Sequence, residues 1–183
     1  MESSGVFQRG TEHIVELDAE SGLVGKTTIP PAFGVIPLVR KYRIESANSD
    51  LESEHEEIGF YGATPLEYLS RWISCNEVFN DDVKLAAVIQ WSDGLVSFGI
   101  TQPQYHGDPA EPRDIERYFN DDGWTLLKDP SKHMVFFNFA FSMLAIDAAK
   151  RNCYINDAGL QPFDVILCKP DEDLERFLNI YPS

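Results

Sequence analysis

Two stretches of the chain decide the fold, Asp147-Ala148-Ala149-Lys150-Arg151-Asn152 and Pro162-Phe163-Asp164-Val165-Ile166. The first stretch directly follows an apolar run, and the second follows after a short interval. The side chains of Asp147, Asn152 and Asp164 carry carboxylate or amide oxygens. Such oxygens are the ligands that Mg²⁺ takes from proteins, while phosphate and water fill its other positions. The pattern predicts a phosphate and metal site if these three side chains converge.

A β-hairpin between the two stretches would make them converge. Cys153 to Ile155 and Phe163 to Leu167 are mostly apolar, and the turn-forming residues Asn156 to Gly159 lie between them. Apolar runs on either side of such a turn are typical of antiparallel strands. We therefore predict a hairpin that places both polar ends at one edge.

A structural explanation of the same residues remains open. Asp147 and Asn152 are both frequent in turns, where their side chains cap the backbone. Asp164 is harder to explain in this way, because it lies between Phe163 and Val165. A carboxylate among apolar strand residues needs a partner, which favours a site over a simple turn.

Local patterns elsewhere predict two further hairpins and three helices. Alternating polarity beside turn residues predicts the first hairpin, and an Asp-Gly turn between two apolar runs predicts the second. Capping residues before a helical period predict the helices. The hairpins cover 13–28 and 84–101, short strands cover 134–137 and 143–146, and the helices begin near Thr64, Asp108 and Pro170. The face of the first helix predicted to pack on the core consists of Leu66, Leu69, Trp72 and Ile73. This order of elements indicates an α+β fold with antiparallel sheet.

The segment at about 30–62 shows no clear period and is predicted to be an irregular insertion. It contains the basic residues Arg40, Lys41 and Arg43, followed by an acidic, serine-rich run from Glu45 to Glu57. Charge runs usually lie on solvated surfaces, so we expect an exposed basic turn and then a surface excursion. The alternative for the basic residues is contact with an acidic partner.

The chain has 183 residues, the size of one domain, and a net charge of −15 at pH 7. This charge argues against nucleic-acid binding, which uses clustered Lys and Arg on the phosphate backbone. Cys75, Cys153 and Cys168 share no short spacing, which argues against a CxxC metal motif and a disulfide framework. No signal sequence and no apolar run of about 20 residues is visible. We expect a soluble cytoplasmic protein that binds neither nucleic acid nor membranes.

The spacing of Asp147, Asn152 and Asp164 resembles the catalytic loop and metal-binding Asp of protein-kinase-like enzymes. More closely, the chain is similar to the kinase-like domains of bacterial and phage polyvalent proteins, and to related small bacterial proteins of unknown role. The resemblance extends along most of the chain. Its other segments are Thr11-Glu12-His13-Ile14-Val15, Gly25-Lys26-Thr27-Thr28, Tyr68-Leu69-Ser70-Arg71 with Asn76-Glu77-Val78-Phe79, Thr101 to Gly107, and Arg113 to Trp124.

This resemblance implies a minimal protein-kinase-like fold, with an antiparallel N-terminal sheet and a much reduced C-terminal lobe. Residues 1–183 would form a single domain, in which 1–101 resemble the N-lobe and 102–183 the C-lobe. Only 19 residues, 165–183, follow Asp164. The activation segment and helical substrate platform of ordinary protein kinases are therefore expected to be missing.

The resemblance also implies a nucleotide site. Lys26 would neutralise the α- and β-phosphates of ATP, held in place by a carboxylate on the first helix, for which Glu67 is the candidate. Gln102 and Gln104 would lie beside the adenine through their backbone groups. Taken alone, Lys26 has the alternative of a solvated strand end, and Glu67 that of the carboxylate in a capping box.

By the same resemblance, Asp147 stands where a catalytic base accepts a hydroxyl proton, and Asn152 and Asp164 stand where Mg²⁺ is held. The sequence departs from the family pattern at several of these positions. No His-Arg precedes Asp147, no Phe-Gly follows Asp164, and no GxGxxG occurs near the N-terminus. Lys150 stands three residues after Asp147, whereas the family has its lysine two residues after the Asp.

Two functions are expected from these features, with a third as a weaker alternative. The first is ATP–Mg²⁺-dependent phosphotransfer to an unknown hydroxyl acceptor. The second is a catalytically inactive pseudokinase, which would act through a protein partner. The third is a purely structural domain of a larger phage-type polyprotein. The departures from the family pattern leave all three open.

Overall fold

The computed structural model describes residues 6–18, 20–45 and 52–181 of the chain. The strands are β1 (Val6–Arg9), β2 (His13–Asp18), β3 (Leu23–Thr28), β4 (Val35–Glu45), β5 (Glu52–Gly62), β6 (Lys84–Gln90), β7 (Val96–Pro103), β8 (Asp108–Pro109), β9 (Thr125–Leu127), β10 (Val135–Asn138), β11 (Met143–Ile146), β12 (Cys153–Asn156), β13 (Gly159–Pro162) and β14 (Ile166–Cys168). The helices are α1 (Pro65–Phe79), α2 (Pro112–Asp121) and α3 (Glu172–Phe177), and a 3-10 turn spans Lys150–Asn152. The described strands all pair antiparallel, which confirms the predicted α+β class with antiparallel sheet.

The first sheet has five strands in the order β1-β2-β3-β7-β6. Its β2–β3 and β6–β7 pairs are the two hairpins predicted from the sequence, the first from alternating polarity and the second from an Asp-Gly turn between apolar runs. The first turn forms because the Asp18 carboxylate accepts hydrogen bonds from the backbone of Glu20 and the hydroxyl of Ser21. Side chains alternate across β3, and this alternation buries Lys26 on the inner face of the sheet.

Helix α1 begins as the sequence predicts, with Thr64 as N-cap and Pro65 in its first turn. The face predicted to pack on the core is correct only in part. Trp72 is buried and Leu69 packs against the core, whereas Leu66 is 74% exposed and Ile73 is 57% exposed. The buried face consists of Tyr68, Arg71, Trp72, Cys75 and Phe79. Three large aromatic rings at helical spacing bury more apolar surface than the aliphatic residues would, and this decides which way the helix faces.

The segment at about 30–62 is not irregular, because β4 and β5 form a regular hairpin of 11 residues per strand. Arg40 and Lys41 lie within a strand and not in a turn. They stand opposite Glu57 and Glu56, with nitrogen–oxygen distances of 3.7 and 3.3 Å. Opposite charges in cross-strand positions stabilise a pair of strands, a relation that is not visible in either strand alone. Residues 46–51 of the predicted acidic excursion lie outside the described residues.

A second sheet, in the order β14-β11-β10-β9, lies between two hydrophobic cores. Phe136 points into the core that contains α1 and α2, where its ring stacks on Phe119 with centroids 4.3 Å apart. Val135 and Phe137 point to the opposite side, into the core that contains Leu174 of α3. Burial on both faces explains the short, wholly apolar runs from which β10 and β11 were predicted.

The predicted third hairpin is correct in its first strand and wrong in its second. β12 pairs with β13, Gly159–Pro162, and Phe163 to Val165 leave the hairpin before Ile166 enters the second sheet beside β11. Pro162 lacks the N–H needed to continue a ladder, and Asp164 has a φ of 57°. The chain therefore turns at Asp164, which lies between two sheets.

Helix α2 begins later than predicted. Asp108–Pro109 forms β8, which pairs with β12, and the helix starts at Pro112 after the N-cap Glu111. The third predicted helix is confirmed as α3, with Asp171 as its N-cap. Among the residues that the structure describes, no helix has the length and apolar character needed to cross a membrane.

Candidate functional site

Lys26 connects the first sheet to Asp164, one of the residues that the sequence analysis selected. It lies on β3 with a side chain only 4% exposed, and its ammonium group forms an ion pair with the Asp164 carboxylate. The ammonium also donates to Gln102 Oε1, 3.1 Å away on β7. A buried ammonium needs such partners, since transferring an unpaired charge out of water is costly. The pairing brings together two positions 138 residues apart.

Both the side chain and the backbone of Asp164 are held in place. Its φ of 57° lies in the left-handed region, and its carbonyl oxygen accepts a hydrogen bond of 3.0 Å from Arg71. Burial opposes ionisation of the carboxyl, but the Lys26 ammonium and the Arg71 guanidinium outweigh burial and hold its pKa below the usual value. The carboxylate therefore remains charged, and the stability it contributes is lost only as the pH falls below the unfolded value of 3.8.

Asp147 and Asn152 form the second half of the site. Asp147 follows β11 directly with a φ of 64°, and the 3-10 turn returns the chain to Asn152. The Asn152 amide donates to the carbonyl oxygen of Asp147 at 2.8 Å and to its Oδ2 at 2.9 Å. Arg151 forms an ion pair with Oδ1 of the same carboxylate. Asp147 and Asp164 thus both adopt left-handed backbone, a conformation that Asp tolerates better than most residues.

A second ion pair, between Glu12 and Arg71, was not predicted from the sequence. Arg71 is 4% exposed, and its guanidinium donates to Glu12 Oε2 over 2.8 Å. The same oxygen accepts the N–H of Val35 at 3.1 Å. A Cβ on Gly34 would stand 2.8 Å from Glu12 Oε2, so the backbone can approach this carboxylate only because residue 34 is glycine. The sequence signal that could have revealed this pair is Arg71 itself, because an arginine among the aromatic residues of α1 needs an acidic partner when that face is buried.

These residues share one cleft of about 420 Å³. Its lining residues are Gly10, Thr11, Glu12, His13, Val15, Lys26, Val35, Phe60, Arg71, Asp147, Arg151, Asn152, Asp164 and Ile166. Lysine and arginine contribute three positive charges to the lining, and aspartate and glutamate contribute three negative charges. A balanced, oxygen-rich cleft of this size suits a ligand that brings both a cation and an anionic group.

His13 lies in the cleft without an acid–base role at neutral pH. Burial lowers its pKa to about 3, and the positive charges of Lys26 and Arg71 act in the same direction. The imidazole is therefore neutral, and its Nε2 lies 2.9 Å from the hydroxyl oxygen of Tyr68.

The structure does not bring Glu67 to Lys26. The Glu67 carboxylate accepts the N–H of Thr64 at 2.7 Å, which is the capping-box alternative, and Glu67 lines a different groove of about 460 Å³ on another side of α1. The carboxylate that meets Lys26 is Asp164. Helix α1 contributes Arg71 to the cleft instead, because Arg71 lies on the buried face of the helix and Glu67 on an exposed one.

The segment that follows β7 reaches the site through a side chain. Gln102 is 4% exposed and contacts Lys26, whereas Gln104 donates its backbone N–H to Gly22 at 2.9 Å. The N–H of Gln104 is thus already used within the protein. Neither glutamine lines the cleft, and Lys150 is directed away from it, with its ammonium 2.5 Å from Glu111.

Two residues of the cleft carry oxygen donors of the kind that a hard divalent cation takes. Across the part of the chain that the structure describes, no three His, Cys, Asp or Glu side chains gather as a metal site. Asn152 and Asp164 supply one amide and one carboxylate, and the hydrogen bonds of Asn152 engage its nitrogen and leave its Oδ1 for other partners. Mg²⁺ commonly takes only one or two carboxylates and completes its shell with water and phosphate.

Comparisons with known proteins do not assign the chain to a family. No protein-family model matches it, and neither a curated protein nor a solved structure matches it. The functional argument therefore rests on the cleft itself.

Proposed function

We propose that the protein is a kinase-like nucleotide-binding protein that holds ATP with Mg²⁺ in the 420 Å³ cleft. One observation carries the proposal: Lys26 lines the same cleft as Asp147, Asn152 and Asp164, although 138 positions separate it from Asp164. The resemblance implies these four residues for one nucleotide and metal site.

The position of Lys26 supports a role in phosphate binding. In protein kinases the phosphate-binding lysine lies on the third strand of the N-terminal sheet. Lys26 lies on β3, and the sheet order with α1 between β3 and β6 is compatible with a kinase-like N-lobe. Arg71 and Glu12 form a separate pair beside Asp164, where kinases pair the lysine with a helix glutamate.

Asn152 and Asp164 are the proposed metal ligands. Mg²⁺ bound there would offset the negative charge of the phosphates. Lys26 holds Asp164 in place through the ion pair, and Asp147 holds the Asn152 amide nitrogen, so that the oxygens of both ligand residues are oriented before ligand binding. Such preorganised groups lower the cost of ordering the site.

The proposal is tested by thermal denaturation with nucleotide and metal. Mg·ATP at 100 times its dissociation constant should raise the unfolding free energy by about 2.7 kcal/mol. Asp164→Asn should lose most of the Mg²⁺-dependent part of this shift, because the amide keeps the shape of the side chain and loses its charge. The matched control is Asp157→Asn in the exposed β12–β13 turn of the same segment, which should behave as wild type.

Either of two results would contradict the proposal. One is the absence of any shift of the wild-type protein at millimolar Mg·ATP. The other is an equal loss of the shift in both variants, which would place the charge effect outside the cleft.

Phosphotransfer and an inactive pseudokinase function are both compatible with nucleotide binding. Asp147 is the residue that separates them. Its two carboxylate oxygens are engaged by Arg151 and Asn152, which favours the pseudokinase because a base must be free to accept a proton. If the protein transfers phosphate, Asp147→Asn should abolish turnover while a Mg·ATP shift persists, weakened because the Asp147 carboxylate also holds the Asn152 amide. A wild-type protein that binds Mg·ATP and forms no product with any hydroxyl acceptor would be the pseudokinase.

A further inference from the structure

Phe163 joins the two halves of the proposed metal site. Its backbone N–H donates to the carbonyl oxygen of Asn152 over 2.8 Å, and the next residue is Asp164. Its ring contacts two tyrosines, with centroids 5.7 Å from Tyr105 at an interplanar angle of 25° and 4.6 Å from Tyr154 at 60°. The backbone of Phe163 therefore links Asn152 to Asp164, while its ring packs against both tyrosines.

The two tyrosines differ in how their hydroxyl groups are held. The Tyr105 hydroxyl donates to Oδ1 of Asp81 at 2.8 Å and lies 3.0 Å from the Asp81 carbonyl oxygen. The Tyr154 hydroxyl has no hydrogen bond within the part of the chain that the structure describes. Only the first ring is thus fixed at both ends, by stacking on Phe163 and by its hydroxyl group.

Asp81 provides a rigid anchor. It follows Asn80, the C-cap of α1, and is only 1% exposed. Burial raises the pKa of its carboxyl to about 6, although the Tyr105 hydrogen bond acts in the opposite direction. A carboxyl group this deeply buried is tolerated only where it is hydrogen-bonded. Helix α1 therefore reaches Asp164 by two routes, through the Arg71 guanidinium and through Asp81, Tyr105 and Phe163.

We propose that Tyr105 is a positioning residue of the metal site: its hydroxyl group, held by Asp81, fixes the Phe163 ring and thereby the spacing of Asn152 and Asp164. The inference rests on the proposed function, because it concerns the same cation. In this proposal, the segment after β7 positions the metal ligands through Tyr105, whereas the resemblance implied that it contacts the adenine. Residues behind metal ligands that hold them in place commonly change metal affinity by about tenfold or more when they are altered.

The test is a titration of Mg²⁺ at fixed ATP, followed by thermal denaturation, in wild type, Tyr105→Phe and Tyr154→Phe. Both substitutions remove one hydroxyl group and keep a ring against Phe163. Tyr105→Phe should require about tenfold more Mg²⁺ for the half-maximal shift, and Tyr154→Phe should match wild type. The shift caused by ATP with EDTA should be the same in all three proteins, which a general loss of structure would not produce.

Two further measurements separate positioning from folding. Asp81→Asn keeps an oxygen acceptor for the Tyr105 hydroxyl and should retain the wild-type Mg²⁺ requirement. In the ligand-free protein, amide exchange at Phe163 should be faster in Tyr105→Phe than in Tyr154→Phe, because its hydrogen bond to Asn152 loosens.

The outcomes distinguish the two proposals. A wild-type shift with Mg·ATP and equal Mg²⁺ requirements in both tyrosine variants would overturn the positioning role alone. The absence of a wild-type shift would overturn the proposed function and this inference with it.

Discussion

Lys26 combines a buried ammonium group with a partner that keeps contact with solvent. The Lys26 side chain is 4% exposed, whereas that of Asp164 is 37% exposed. The ion pair therefore joins a buried lysine to a carboxylate that solvent reaches. The Lys26 ammonium also lies 5.4 Å from the ring centroid of Trp72. This arrangement leaves one side of the carboxylate accessible to a ligand while the lysine fixes the other.

Replacing Lys26 tests the strength of this pair. Lys26→Met keeps most of the aliphatic stem and leaves Asp164 without its ammonium partner. Breaking a buried pair costs about 3–5 kcal/mol, and we expect a loss of about 3 kcal/mol because solvent reaches Asp164. The measurement is urea unfolding at pH 7.

The matched control is Lys84→Met. Lys84 forms an ion pair with Asp82 at 2.9 Å, but both side chains are more than 60% exposed. Surface pairs contribute about 0–1 kcal/mol, so this variant should remain close to wild type. Similar small losses of unfolding free energy in the two variants would show that the Lys26–Asp164 pair contributes no more than a surface ion pair.

At the residue scale, the sequence predicted several residues of the cleft but did not predict which of its charged side chains form ion pairs. The spacing of Asp147, Asn152 and Asp164 selected three residues that line one cleft. Glu12 and Arg71 were missed as a pair, because their contact depends on which face of α1 is buried. A side chain's chemistry is visible in the sequence, whereas the direction in which it points is decided by tertiary packing.

Helix α1 shows what an element's own sequence determines. Its start is fixed locally by the reciprocal hydrogen bonds of Thr64 and Glu67. These bonds also lower the pKa of Glu67, mainly through its contact with Thr64. The orientation of the helix is not local, because it depends on aromatic rings that pack against other elements.

Removing the cap separates its role from that of the cleft. Glu67→Ala should destabilise the protein by about 1 kcal/mol, since one half of the capping box is lost. The Mg·ATP shift should be unchanged, because Glu67 does not contact Lys26. Urea unfolding and thermal denaturation with ligand measure the two effects.

Glu77→Ala is the control on the same helix. Glu77 is exposed in the last turn, where an acidic residue is unfavourable to the helix dipole, so its removal should be neutral or slightly stabilising. A loss of the Mg·ATP shift in Glu67→Ala alone would restore the role of Glu67 that the resemblance implied.

The β4–β5 hairpin marks the limit of prediction at this scale. Its strands lack a clear apolar alternation because the pairing is supported by charges across the hairpin, as between Lys41 and Glu56. By contrast, β2, β3, β6 and β7 were predicted correctly, since each pair of strands is joined by a turn with local hydrogen bonds that its own sequence shows. An element that is stabilised by contacts with another segment cannot be predicted from its own segment alone.

At the scale of the whole molecule, the cleft exists because two distant parts of the chain meet. The five-stranded sheet supplies Lys26 and His13. The connection between β11 and β12 supplies Asp147 and Asn152, and the connection between β13 and β14 supplies Asp164. Helix α1 lies beside both and contributes Arg71. The sequence predicted the α+β class, but the packing that makes one cavity of these parts depends on long-range contacts that local patterns do not encode.

The most direct test of this convergence is an NMR titration with ATP and Mn²⁺ in place of Mg²⁺. A paramagnetic ion broadens the resonances of nuclei close to it, so the affected amides locate the bound metal. We expect ATP-dependent broadening at Asp147, Asn152 and Asp164, and much weaker broadening in Asp164→Asn. Broadening confined to acidic surface residues such as those of α2, with or without ATP, would contradict the account.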